Sequence, residues 1–300
     1  MGRATILLLL ALALLVSAGP ADAKTYRWVD PKGVVTYSDT PPQLAPVEGE
    51  RDALIEEALT ISGIKRQIEG LPDQVRAGAE LSQSKLPQKD RAAMAKIIGD
   101  AFRSGPILTT LRSAFQKSYD PMQMGLFLAQ LRTPTAQKMA RLEEAGTEPD
   151  IVAKIQAFAA GIRDAPPPED RVARLAQLDT ATGTTDLVLE MRGASIAAAF
   201  KVLSALMPPE KRPTPAQMNA AVWNLVGQQR ETARSEILVL FLYVYREATD
   251  AELDEYIGIG TSESGRWFQA IYRRGLAEAI TTATETAIRQ VAQSFRPKPL

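Results

Sequence analysis

Along most of this chain the apolar positions recur every three or four residues. Ile151, Val152, Ile155, Phe158, Ala159 and Ile162 fall on one face of a 3.6-residue period. So do Phe268, Ile271, Leu276, Ile280, Ala287, Ile288 and Val291 near the C-terminus. That spacing predicts amphipathic helices, the second of them long and closing the chain. Ile237 to Tyr245 is apolar at every position. It is too short for a membrane span, which takes roughly 20 residues, and predicts a central buried helix. From about Arg51 onward Ala, Leu, Gln, Glu and Arg dominate, as helices favour.

One stretch departs from this period. Arg27 to Val29 and Val34 to Ser38 are rich in β-branched and aromatic residues, and they flank Asp30-Pro31-Lys32-Gly33. Asp first, Pro second and Gly last suit a type I turn, so the segment reads as a β-hairpin. A four-residue loop pairs Val29 with Val34 and gathers Tyr26, Trp28, Val35 and Tyr37 on one face. A three-residue loop with Gly33 in a bulge sets Trp28 opposite Thr36 and splits the aromatics. The hydrophobic pattern favours the first. A lone two-stranded hairpin is marginal in water, so its aromatic face must cover the helices, a third strand or a partner.

Residues 1–23 read as a signal peptide. Arg3 is the positive n-region, Ile6 to Val16 the apolar h-region, and Ala21-Asp22-Ala23 the cleavage site, leaving Lys24 as the new N-terminus. A periplasmic location follows, with no transmembrane span in the mature chain. Prolines mark the remaining boundaries. The fold class is mainly α: a β-hairpin module (24–45), a helical half (51–165), a second helical half (169–295) and a tail (296–300). The halves read as a duplication. Met124, Phe127, Leu128 and Met139 align with Leu253, Tyr256, Ile257 and Phe268 around a break capped by Thr133 or Ser262, with Ala136 or Gly265 letting two helices approach closely. Leu59 to Ile68 and Leu178 to Val188 correspond upstream.

Net charge is zero, which gives no electrostatic footprint for nucleic acid. The chain has no Cys and no His. That excludes thiol nucleophiles, a Ser-His-Asp triad and histidine-ligated zinc or haem. Carboxylate, Ser-Lys and tyrosine chemistry survive. A Ser-Lys dyad needs S-x-x-K, which Ser113 to Lys117 misses by one residue. Gly258-Ile259-Gly260 is too short for a phosphate loop. Asp179, Asp186 and Glu190, and Asp250, Glu252, Asp254 and Glu255, lack calcium-loop spacing; in the second group Thr249 or Asp250 caps a helix and the others are first-turn acids. No cofactor and no metal site is expected.

The segment Tyr26-Arg27-Trp28, Asp30, Gly33-Val34, Tyr37-Ser38-Asp39 and Pro41-Pro42 resembles domain-of-unknown-function family 4124, over about residues 12–45. The family implies an exported protein and no established activity. Tyr256, Ser262, Ser264, Gly265, Arg266 and Phe268 resemble the helical segment of domain-of-unknown-function family 2059, with Glu263 in place of its proline. Glu263-Ser264 also resembles the Glu-Ser of soluble lytic transglycosylases, but the Gly-Leu-x-Gln-x-Met-Pro stretch of that family is missing. Glu263 therefore reads as a solvated first-turn acid, and no catalytic residue is assigned. Tyr26, Trp28 and Tyr37 are the candidate binding residues, for an envelope protein or for peptidoglycan. The expected role is a non-catalytic binding or assembly factor, with a glycan-cleaving enzyme centred on Glu263 as the alternative.

Overall fold

The computed structural model describes residues 48–82, 87–146, 151–205 and 207–294, together with the backbone of 26–29 and 35–38. The signal segment, the hairpin's turn and the tail 296–300 lie outside the described residues. The body is all-helical, so the mainly-α reading holds. Its helices are α1 (Glu48–Ile61), α2 (Ile64–Ser82), α3 (Gln88–Ala101), α4 (Ser104–Lys117), α5 (Pro121–Leu131), α6 (Pro134–Ala145) and α7 (Ile151–Gly161). They continue as α8 (Glu169–Thr182), α9 (Thr184–Ala205), α10 (Pro215–Gly227), α11 (Arg230–Val244), α12 (Asp250–Thr261) and α13 (Glu263–Ser294).

Near the N-terminus the backbone of Tyr26–Val29 runs antiparallel to Val35–Ser38, with Trp28 opposite Thr36 and Arg27 opposite Tyr37. This is the register that splits the aromatics, not the pairing of Val29 with Val34.

Helix starts follow local chemistry. Thr249 and Thr214 form capping boxes with Glu252 and Gln217. Asp120 accepts hydrogen bonds from the backbone N–H groups of Met122 and Gln123, and Thr133 from that of Ala136. Ser262 Oγ accepts from Gly265 N at 2.9 Å. The caps expected at Thr133, Thr249 and Ser262 are thus all formed.

The centre of the body is α13, 32 residues long and therefore about 48 Å from end to end. It packs on α3, α4 and α5 on one side and on α9 on the other. Phe268 stacks on Phe127 at 4.2 Å between ring centroids and lies 4.5 Å from Phe115. The apolar run Ile237–Tyr245 forms most of α11 and is largely buried, but it sits on a flank, against α6, α7, α8 and α9. An all-apolar run of nine residues can be covered on most sides, yet it is too short to be shared by everything around it.

The helix order repeats. Gly63 and Gly183, with φ of 78° and 56°, link α1 to α2 and α8 to α9. Buried positions keep step around both links: Ile55, Ala58, Ser62, Ile64, Ile68 and Leu71 against Leu175, Leu178, Thr182, Thr184, Val188 and Met191. The later pairs Met124/Leu253, Phe127/Tyr256, Ala136/Gly265 and Met139/Phe268 are buried too. The packing crosses over: α13 lies on α4 and α5, and α6 lies on α11 and α12.

Gly265 works as its place in the pattern suggests, letting the first turn of α13 lie close against the end of α12. A Cβ there would stand 2.2 Å from the carbonyl oxygen of Ile259, in the turn just before it. A second close approach, of α13 to α4, falls at Gly275, where a Cβ would lie 2.9 Å from Ala114 Cβ and 3.1 Å from Leu111 Cδ2. Gly265→Ala must move backbone and is expected to cost about 3 kcal/mol or more. Gly275→Ala meets only side chains and is expected to cost about 1–3 kcal/mol. Urea midpoints of the two variants check this order.

Candidate functional site

Helix α10 is poorly covered. Thr214 and Pro215 start it firmly, but of its 13 residues only Val226 is buried. Its apolar positions, Ala220, Ala221, Val222, Trp223, Leu225 and Val226, are too many and too nearly consecutive for one face of a helix. It packs chiefly on α9. As a result Trp223 is 74% exposed and Leu225 45% exposed. Leu203 and Met207, at the end of α9 and just beyond it, are exposed as well. Single exposed leucines are ordinary. A Trp this exposed is not, and exposed apolar surface marks interaction sites.

Beside Trp223 opens a cleft of about 630 Å³. Gly193, Ala194 and Ala197 of α9 line one side, Val222, Trp223 and Val226 of α10 another, and Ala277 of α13 reaches it from a third. The small residues of α9 let an occupant come close to the helix backbone. Asp186 and Glu190 also line the cleft, and each carboxylate has a cation: Asp186 accepts from Arg230 at 2.6 Å, and Glu190 from Arg273. An apolar cleft of this size with paired charges suits burial of an apolar segment. It holds no nucleophile with an adjacent base.

A second feature is wholly internal. Glu143 of α6 is buried, and its Oε1 accepts from Tyr245 Oη at 2.8 Å and Tyr256 Oη at 2.7 Å. Tyr245 follows α11 and Tyr256 lies on α12, so this one oxygen ties the first set of helices to the second. Burial pushes the Glu143 carboxyl up to about 7, against the opposing hydrogen bonds from Tyr256 and Tyr245. The sequence reading passed over both features. Trp223 was legible as an excess of apolar positions between two proline breaks. Glu143 was not, because a Glu in a helix reads as a surface residue.

The expected site residues are placed as follows. The side chains of Tyr26, Trp28 and Tyr37, and the cleavage site Ala23–Lys24, lie outside the described residues. Glu263 is exposed in the first turn of α13 and accepts from Gln123 Nε2 at 3.1 Å. Of the carboxylates Asp179, Asp186 and Glu190, the last two share the cleft and Asp179 lies apart from it. Asp179 is buried, accepts from the Thr185 backbone and hydroxyl at 2.8 Å, and is raised by burial. The second group is spread over separate partners. Asp250 and Asp254 face Arg171 and Arg174, Glu255 accepts from Thr135, and Glu252 is held down to about 2, chiefly by Lys138. Among the described residues no group of three or more metal-ligating side chains could hold an ion, and no helix is long and apolar enough to cross a membrane.

Comparison with known families gives one match: the family described as Domain of unknown function (DUF4124) matches residues 12–95. This supports the resemblance read from the N-terminal motif. It also runs further than the motif, through α1 and α2 and into α3. No curated protein matches the chain. No solved structure matches it either.

The Glu143 carboxyl has a testable consequence. Its folded value of about 7 lies above the ordinary 4.5, so the folded state holds the proton more tightly. The stabilisation this gives is complete below about pH 4.5 and is lost as pH rises through about 7, a difference of roughly 3 kcal/mol. Glu143→Gln keeps an acceptor for both tyrosines and removes the charge. Urea unfolding at pH 5 and pH 8 should show wild type losing stability across that window. The variant should lose markedly less and exceed wild type by about 1–3 kcal/mol at pH 8.

Proposed function

We propose that this chain is exported to the periplasm and acts there without catalysis, holding an apolar segment of an envelope protein in the cleft beside α10. The observation that carries this reading is Trp223, 74% exposed at the lip of an apolar cleft on a helix that buries one residue of 13. Leaving a Trp in water sacrifices stabilisation that its burial would give. Binding a partner recovers it, and Trp is among the residues most enriched at binding hot spots. Export rests on the Ile6–Val16 run and the Ala21-Asp22-Ala23 site. The matched helix order, glycine links and crossed packing support two duplicated halves. The likeness of Tyr256–Phe268 to family 2059 fits that scheme and brings no chemistry.

Two other functions fit the residues less well. Binding of peptidoglycan by Tyr26, Trp28 and Tyr37 needs an aromatic face, and the side chains of those three residues lie outside the described residues. Glycan cleavage by Glu263 needs a pocket that raises a carboxyl; Glu263 is exposed and lines none of the four cavities of the body described here.

Co-purification of the mature chain from its native envelope tests the leading reading. Trp223→Ala should lower recovery of the partner at least tenfold with unchanged circular dichroism. Unchanged recovery moves binding away from the cleft. Retention on purified sacculi should be the same for wild type and Trp28→Ala. Digestion of sacculi by wild type but not by Glu263→Gln would overturn the non-catalytic reading.

A further inference from the structure

Helix α10 carries no Asp, Glu, Lys or Arg along its 13 residues. A helix that buries a single side chain ordinarily shows charges to water. The charges around α10 are paired within the chain. Asp186 is bonded to Arg230 at 2.6 Å, and Glu190 to Arg273. The face therefore offers a charged partner little to complement. It also lacks the lysines and arginines that an amphipathic helix lays against anionic lipid. A surface as neutral as itself meets no repulsion there.

Shape narrows the choice further. Trp223 projects from α10 as a knob, and the cleft beside it is a hole lined by Gly193, Ala194 and Ala197. At about 630 Å³ the cleft has ample room for one indole ring. The small residues of α9 let a flat ring lie close to the helix backbone. A knob next to a hole that can receive it is what an isologous contact requires. Turned about a two-fold axis, each copy presents its Trp to the other's cleft.

We propose that two copies of this chain pair through α10 about a two-fold axis, each seating its Trp223 in the cleft of the other. This rests on the reading of the cleft as a site for apolar groups and names its occupant in the free protein. Helix α10 is about 20 Å long and about 10 Å across. With the adjoining strip of α9 the contact stays below the roughly 800 Å² per partner of a standard interface. Pairing is therefore reversible and depends on concentration. A partner's apolar segment has to displace Trp223, so its binding weakens as the paired fraction grows.

In the mature chain, Trp28→Phe and Trp267→Phe together leave Trp223 as the sole tryptophan. Sedimentation and fluorescence of this chain are followed from about 0.1 to about 100 micromolar. Mass should rise from monomer towards dimer. Over the same range Trp223 emission should shift to the blue and its quenching by acrylamide fall at least threefold. Ala197→Glu sets a charge in the cleft and leaves Trp223 in place. It should raise the dissociation constant at least tenfold with unchanged circular dichroism. Leu126→Ala, at an exposed position on α5, should change neither mass nor quenching. A monomer at every concentration would overturn the proposal. So would a dimer whose Trp223 stays open to the quencher, because another face would then pair. Protection of Trp223 by anionic phospholipid vesicles without a dimer would overturn it in favour of a membrane. A monomer that still captures an envelope protein through Trp223 leaves the proposed function standing. A dimer through Trp223 with capture indifferent to Trp223→Ala refutes that function and keeps the pairing.

Discussion

Everything in this fold is arranged around α13. A helix of 32 residues cannot be covered by one group of helices, so it is shared, with α3, α4 and α5 on one side and α9 on the other. Sharing demands apolar or small residues around much of its circumference. It meets that demand with Phe268, Ile271, Tyr272, Leu276 and Ile280, and with Gly275 where α4 comes closest. The stacked rings of Phe127 and Phe268 lie near its start, the point where the crossed packing of the two sets of helices begins.

The candidate site follows from what α13 covers and what its counterpart does not. Helix α3 lies between α2 and α13. Helix α10, at the same place in the order, lies chiefly on α9. The counterpart of α13 is in two pieces, α6 ending at Ala145 and α7 beginning at Ile151. The second piece packs on α11, where Phe158 meets Tyr243 edge to face. An interrupted helix therefore leaves α10 open where an unbroken one closes α3. Trp223 stands on the open helix.

Much of this was legible in the residues. Capping chemistry is local, so Thr133, Thr249 and Ser262 could be assigned as caps from spacing. The long closing helix and the kinship of its first turn with Pro134–Met139 could be seen in the same way. Centrality could not, since the all-apolar run Ile237–Tyr245 looks more buried than α13 does. Hydrophobicity reports how much of a helix is covered and not how many neighbours share it. The hairpin register was open because two rules disagreed, hydrophobic pattern against turn chemistry. Glu143 was invisible because its two tyrosine partners come from α12 and the residue following α11, more than a hundred positions along the chain. Trp223 was overlooked because a Trp on a helix is ordinarily core, and its exposure depends on how few helices pack on α10.

The central claim is that the cleft beside α10 has an occupant in the cell. Site-specific photo-crosslinking from position 223, with a photoreactive phenylalanine in place of Trp223, tests it most directly. The account predicts discrete adducts with one envelope protein that do not form from the exposed position 126 on α5. Diffuse or absent labelling at 223, no different from that at 126, would contradict it.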